Sequence, residues 1–247
     1  MKNEATFGRC RLCDKAFGKR QMTNHLKACW EHHAKAASGK GAAPWFHLVV
    51  EGRDAPDYWL HLQAPANCTF GDLDNLFRRI WLECCDHLSA FKFSVKRKRL
   101  RLATPFDFAA MLQELDRERQ SGWDDNDSDD ALMGKTLGSR LKPGVVFSHE
   151  YDFGSTTHLA LRVTGEHNAP AIAGGLKLLA RNDSPAIPCS VCAKPATQLC
   201  LQCTEEGAGV LCDACAGKHD CGEDMLVPLI NSPRTGVCGY CGPSVEP

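Results

Sequence analysis

The sequence predicts an α+β domain with a mixed or antiparallel sheet, and three observations carry that prediction. Strand-like stretches (WFHLVV, YWLHLQA, FKFSVK) are mixed with residues at helical spacing, without a regular βαβ rhythm. The fifteen cysteines are unevenly placed: Cys10, Cys13 and Cys29 at the start, Cys68, Cys84 and Cys85 in the middle, nine between Cys189 and Cys241. The N-terminus, MKNEATFGRCRLC, lacks the apolar core of a secretion signal, so reduced thiols and a cytoplasmic location are expected. Under reducing conditions C-x-x-C pairs near histidines are metal ligands rather than disulfides. The central domain is therefore expected to be flanked by two small zinc-stabilised modules. The expected boundaries are a finger at 1–31, a linker at 32–44, the α+β domain at 45–182 and a double-zinc module with a C-terminal wrap at 183–247.

In the first segment, CRLCDKAFGKRQMTNHLKAC, Cys10 and Cys13 form a knuckle, followed by His25 and Cys29. The spacing resembles the two-Cys, two-His finger with Cys in place of the last His, although one residue is missing between Phe17 and Met22. His25 and Cys29 are four apart and would share a helix face. So short a stretch cannot bury enough surface to fold alone, so zinc would supply the folding energy. Residues 1–43 carry a net charge of +6, which attracts nucleic acid. Docked as its class docks, the finger would present Gly18, Gln21 and Asn24 to bases, with Arg11, Lys19 and Arg20 toward phosphate. A basic knob touching phosphate or another protein is favoured over base reading, because one finger spans only about three base pairs. The Gly/Ala-rich EHHAKAASGKGAAP that follows is the expected linker, with His32 and His33 solvated.

The central segment opens with two strands, WFHLVV and YWLHLQA. A helix follows: Thr69 and Asp72 make a capping signal, and Leu73, Leu76, Phe77, Ile80, Trp81 and Cys84 recur at helical spacing. FKFSVK alternates Phe91, Phe93 and Val95 inward against Lys92, Ser94 and Lys96. PFDFAAMLQELDRERQ predicts a second helix from Pro105, VVFSHEYDF and HLALRVT a late strand pair, and LKLLARN a further strand.

Residues 45–166 resemble the plasmid pRiA open-reading-frame-three-like family. The resemblance rests on WLHLQAPANCTFGDLDNLFRRIWLECCDHLSAFKF, an acidic loop, TLGSRLKPG and EYDFGSTTHLALRV, with HLSAF (87–91) and YDFG (151–154) as marker segments. One branch continues into a Cys-rich tail like this one, and some members are labelled passenger proteins of transposable elements. Many members follow YDFG with Asp and then Trp-x-His, where this chain has Ser155, Thr156, Thr157 and His158. The resemblance implies a fold and a link to mobile elements, and it carries no settled biochemical activity.

Catalytic signatures are sparse. CCDHLS places Cys85 near His87, yet core or helix-end packing is the favoured expectation for Cys84, ahead of an extra metal or redox site or a catalytic thiol. A polar site of His87, Asp152 and His158 defines the enzyme alternative, against Asp152 capping a turn at Gly154 and His158 on a strand edge. No Gly-rich phosphate loop, nucleophile-elbow Ser or zincin His pair is present. DDNDSDD (124–130) lacks the Gly and Glu of a calcium loop, and KRKRLR (96–101) is expected as a solvated strand face or, alternatively, a phosphate patch.

The tail supplies ligands in the order Cys189, Cys192, Cys200, Cys203, Cys212, Cys215, His219, Cys221, enough for two closed tetrahedral sites. The spacing resembles B-box and MYND modules, which implies interleaved pairs: Cys189, Cys192, Cys212 and Cys215 on one zinc, Cys200, Cys203, His219 and Cys221 on the other. Cys238 could displace a member of the tight His219–Cys221 pair, and otherwise Cys238 and Cys241 are a spare C-x-x-C pair. Such modules bind proteins, and the tail's charge of −5 agrees. The end, GEDMLVPLINSPRTGVCGYCG, is expected to wrap the zinc module or the central domain, driven by Met225, Leu226, Val227, Leu229 and Ile230. No apolar run approaches the roughly 20 residues that span a bilayer. The whole predicts a binding or adaptor protein with about three zinc ions, a DNA or RNA contact through the finger and a protein contact through the tail. The alternative is an enzyme acting on nucleic acid or a small ligand.

Overall fold

The computed structural model describes residues 6–34, 44–93, 129–168, 175–204 and 207–243. An eight-stranded sheet runs through the N-terminal and central segments. Its strands are β1 (Phe7–Cys10), β2 (Ala16–Gly18), β3 (Pro44–Gly52), β4 (Trp59–Pro65), β5 (Ser89–Phe93), β6 (Val146–Tyr151), β7 (Thr157–Asn168) and β8 (Lys177–Asn182). The order across the sheet is β2-β1-β8-β4-β3-β7-β6-β5, and every pairing is antiparallel. The expected linker core (35–43), the helix from Pro105, the basic run 96–101 and most of the acidic run 124–130 lie outside the described residues.

Strands β3 and β4 form at the two stretches expected, WFHLVV and YWLHLQA. Both are buried on both faces. Phe46, Leu48, Val50, Leu60, Leu62 and Ala64 face the helix α2 (Phe70–Phe77) and the main core. On the opposite face Trp45 and Trp59 meet Met22, Leu26, Cys29 and Trp30 of the helix α1 (Lys19–Ala34). The N-terminal segment is thus joined to the sheet through β1–β8 pairing and covers its second face. Polar groups on that face are met in part: Trp30 Nε1 of α1 donates to Gln63 Oε1 at 3.0 Å and the His47 and His61 rings share a hydrogen bond of 3.0 Å, while Trp45 Nε1 is buried without a hydrogen bond.

The N-cap of α2 is the one expected, with the Thr69 hydroxyl accepting from the Asp72 N–H and the Asp72 carboxylate accepting in return. The helix does not run to Cys84. It widens into a π turn at Arg78–Leu82, and Glu83 is extended, so Cys84 and Cys85 leave the helical stripe. Strand alternation holds on β7, where Leu159, Leu161 and Val163 are buried, and on β5, where Phe91 is buried and Lys92 exposed.

The tail forms a three-stranded sheet of β9 (Gln198–Cys200), β10 (Val210–Leu211) and β11 (Leu226–Pro228) in the order β10-β9-β11. The C-terminal wrap seats on the central domain by polar contacts more than by the apolar run: Met225 remains 39% exposed. Trp81 Nε1 donates to the Asn231 carbonyl at 3.0 Å, and the Ser232 hydroxyl donates to the Trp81 carbonyl at 2.7 Å.

Two predictions follow from the packing under α1. A Cβ on Gly8 would stand 2.1 Å from the Arg181 carbonyl oxygen and 2.7 Å from the Trp59 ring. Gly8→Ala should therefore lower the urea midpoint of the full chain, by an amount corresponding to about 1–3 kcal/mol. Burial brings the His47 imidazole down to about 4 and lowers His61 as well. The unfolded chain then binds protons first as pH falls below about 6.5, so the stability tied to these neutral rings is present above that pH and drains away toward the folded value. Ring resonances should report His47 in its neutral form down to about pH 5.

Candidate metal centres

Two of the three expected ligand sets begin in a knuckle built by the backbone. At the N-terminus the Cys10 N–H donates to the Lys15 carbonyl and the Asp14 N–H to the Cys10 carbonyl, with Asp14 at φ 60°. The tail repeats the device: the Cys189 N–H donates to Lys194, the Ala193 N–H to Cys189, and Ala193 has φ 59°. The tight turn aims both sulphurs of a C-x-x-C pair to one side. In the finger, α1 then brings His25 and Cys29 alongside, with Phe17 stacked on the His25 ring at 4.2 Å.

The twelve expected ligands fall into three groups of four, each with ligand atoms within 4.8 Å of one another: Cys10, Cys13, His25, Cys29; Cys189, Cys192, Cys212, Cys215; and Cys200, Cys203, His219, Cys221. A tetrahedral ion with metal–sulphur bonds of about 2.3 Å sets sulphurs roughly 3.8 Å apart. The observed separations fit: 3.9 Å for Cys10–Cys29, 3.6 Å for Cys192–Cys212 and for Cys192–Cys215, and 3.5 Å for Cys203–Cys221. His25 and His219 bring Nε2 to 3.3 Å from Cys13 and 3.4 Å from Cys203. The tail pairs therefore interleave, and Cys238 does not displace a member of the second set.

The electrostatics suit a cation. Burial opposes ionisation of Cys189, but the N–H groups of Cys212, Val191 and Cys192 outweigh it and bring the thiol down to about 6. Cys200 is likewise brought to about 7, against burial, by the Cys203 N–H, the His219 ring and the Gln202 N–H. Cys203 and Cys215 are pushed up to about 12, chiefly by hydrogen bonds to the thiols of Cys221 and Cys192. Four thiolate-rich ligands this close ionise together only around positive charge.

The nucleic-acid candidates divide. Arg11, Arg20, Gln21 and Asn24 are exposed, and Lys27 continues the stripe along α1. Lys19 is half-buried, with its ammonium on the Glu51 carboxylate and the Pro56 carbonyl, because α1 starts beside the sheet. His33 is not simply solvated: its Nδ1 lies 2.9 Å from the Cys29 carbonyl.

Of the polar trio behind the enzyme alternative, His87 Nε2 and Asp152 Oδ2 come within 3.7 Å, whereas His158 faces Glu150 across β6 and β7. Asp152 caps the turn as expected, accepting from the Gly154 N–H at 3.0 Å. Its second oxygen accepts from Arg234 at 2.7 Å, a residue the sequence reading did not single out and which is fully buried. A cleft of about 920 Å³ nearby is lined by Asp72, Asp74, Arg78, Arg79, Glu83 and Asp86, but Arg78 already pairs with Asp74 and Glu83. Cys238 approaches Cys85 and His87, and Cys241 is exposed outside the four-ligand groups.

No helix among the described residues is long and apolar enough to cross a membrane. No protein-family model and no curated protein matches the chain, so the resemblance of residues 45–166 to the pRiA family has no counterpart there. Among solved structures, the chain is similar to a crystal structure of a protein of unknown function from Methanosarcina mazei, at 15% identity and a TM-score of 0.37, over 59% of this chain and 72% of that one.

Proposed function

We propose that the chain is a zinc protein that acts by binding, with the finger leaning toward nucleic acid and the tail module toward a protein partner. The interleaved tail clusters carry this reading, because two four-ligand sets at tetrahedral separations leave no open position for a reacting molecule. The residues that would hold zinc are the three groups of four named above. Zinc there supplies folding energy to segments whose own cores are small. The basic charge of the N-terminal segment and the exposed Arg11, Arg20, Gln21, Asn24 and Lys27 support a phosphate-contacting face. The acidic tail, with Val191 71% exposed on its knuckle, supports a protein contact. A link to mobile elements rests on the family resemblance alone.

Metal analysis of the reduced full chain tests the first part. Cys200→Ser should cost one zinc while the Cys189, Cys192, Cys212 and Cys215 set keeps its own, read by native mass spectrometry. Loss of both tail ions, or of neither, would count against two separate interleaved sites. For the nucleic-acid limb, Arg11→Ala with Arg20→Ala should weaken binding to duplex DNA or RNA and flatten its salt dependence by about two units in the log–log slope. Lys19→Ala should instead act on stability, through its ion pair with Glu51. Salt-independent binding, or none, would remove that limb and leave protein partners.

A further inference from the structure

We propose a fourth metal site, of Cys84, Cys85, His87 and Cys238, which takes a zinc-class ion and clasps the C-terminal wrap to the central domain. The four ligand atoms lie within 4.8 Å of one another, the same limit that the three groups already described meet. Cys85 and Cys238 sulphurs are 3.9 Å apart, and His87 Nε2 is 3.5 Å from the Cys238 sulphur. Those separations are the ones a tetrahedral ion bound at about 2.0–2.3 Å requires. Three soft thiols and an imidazole select zinc over magnesium or calcium.

The loop that carries three of the ligands is fixed from beneath. Arg78 bonds the carboxylates of Asp74 and Glu83, the His87 carbonyl at 2.7 Å and the Ser89 hydroxyl at 3.1 Å. The Asp86 N–H donates to Glu83, and the His87 N–H to the Tyr151 hydroxyl. The fourth ligand comes from the opposite end of the chain, on a left-handed turn at Cys238 (φ 53°) between Gly236 and Gly239. Arg234 sits beside the group and donates to the Cys84 sulphur at 3.4 Å while holding Asp152 and Thr157. A zinc ion with three thiolates carries one net negative charge, and the guanidinium provides the neighbouring positive charge and an N–H to one sulphur.

Each of the other groups contains at least one buried cysteine, but here none of the four ligands is buried. The ion should therefore be the first surrendered to a chelator, loosening residues around 237–243, beyond the buried Ser232 and Arg234, while the remaining three stay bound.

Native mass spectrometry of the full chain, purified anaerobically with reductant and zinc, should show four zinc ions. Cys238→Ser and His87→Gln should each bring the count to three, and Cys238→Ser should expose the 237–243 segment to limited proteolysis. The exposed positions of Cys238 and Cys85 keep these variants foldable, and Cys85→Ser serves as a second check. A count unchanged by Cys238→Ser and by Cys85→Ser overturns the site, as does a Cys85–Cys238 disulfide in the reduced protein. Three ions in the wild type, still lowered to two by Cys200→Ser, would sink this proposal and leave the three-cluster reading intact.

Discussion

The cover over the second face of β3 and β4 is what the central domain depends on. Trp45 and Trp59 lie on that face with His47, His61 and Gln63, and all five are buried. A face carrying two tryptophans and three polar groups needs both apolar contact and matched hydrogen bonds, and α1 supplies both through Met22, Leu26 and Trp30. The same helix carries His25 and Cys29. A metal held there fixes the orientation of a helix that closes the main sheet, so ligand loss in the finger is a loss of core.

The tail solves a different problem. Its buried cluster consists largely of cysteines, Cys189, Cys200 and Cys212, with Leu211 and Ala216. Little apolar surface remains to drive folding once the sulphurs are set aside. Its connection to the rest of the chain is polar and directional: Asn231 to Asn182, Ser232 to Trp81, and the buried Arg234 to Asp152. A buried guanidinium is costly unless its donors are met, and Asp152, Ser155, Thr157 and Cys84 meet those of its two amino groups.

Much of this was readable from residue spacing. Cysteine pairs and capping boxes are local patterns, so the candidate ligands, the α2 cap and the paired strands near Val146 and Thr157 could be placed from sequence, while the interleaving of the tail pairs was what the likeness to B-box and MYND modules implied. What escaped is long-range. His47, His61 and Gln63 have the polar alternation of a solvated face, and nothing local says a finger helix will lie on it. Arg234 looks like an ordinary surface arginine until Asp152 is brought beneath it. Cys238 reads as part of a C-x-x-C pair with Cys241, whereas the fold turns it toward Cys85 and His87, 153 and 151 positions away in sequence. The helix end at Leu82 also escaped, because Cys84 keeps helical spacing after the backbone has left the helix.

The pairing of β1 with β8 sets Gly8 opposite Asn182 and Cys10 opposite Ala180. During synthesis the Cys10, Cys13, His25 and Cys29 group is complete as soon as Cys29 has emerged, but its place in the sheet does not exist until β8 has been made. For most of translation the N-terminal segment must therefore wait beside unpaired strands. Assembly of this sheet is then a late event, slowed by closure of a long loop and ordered by the ribosome. An ion bound by those four ligands would act early, well before the strand that gives the N-terminal segment its final position.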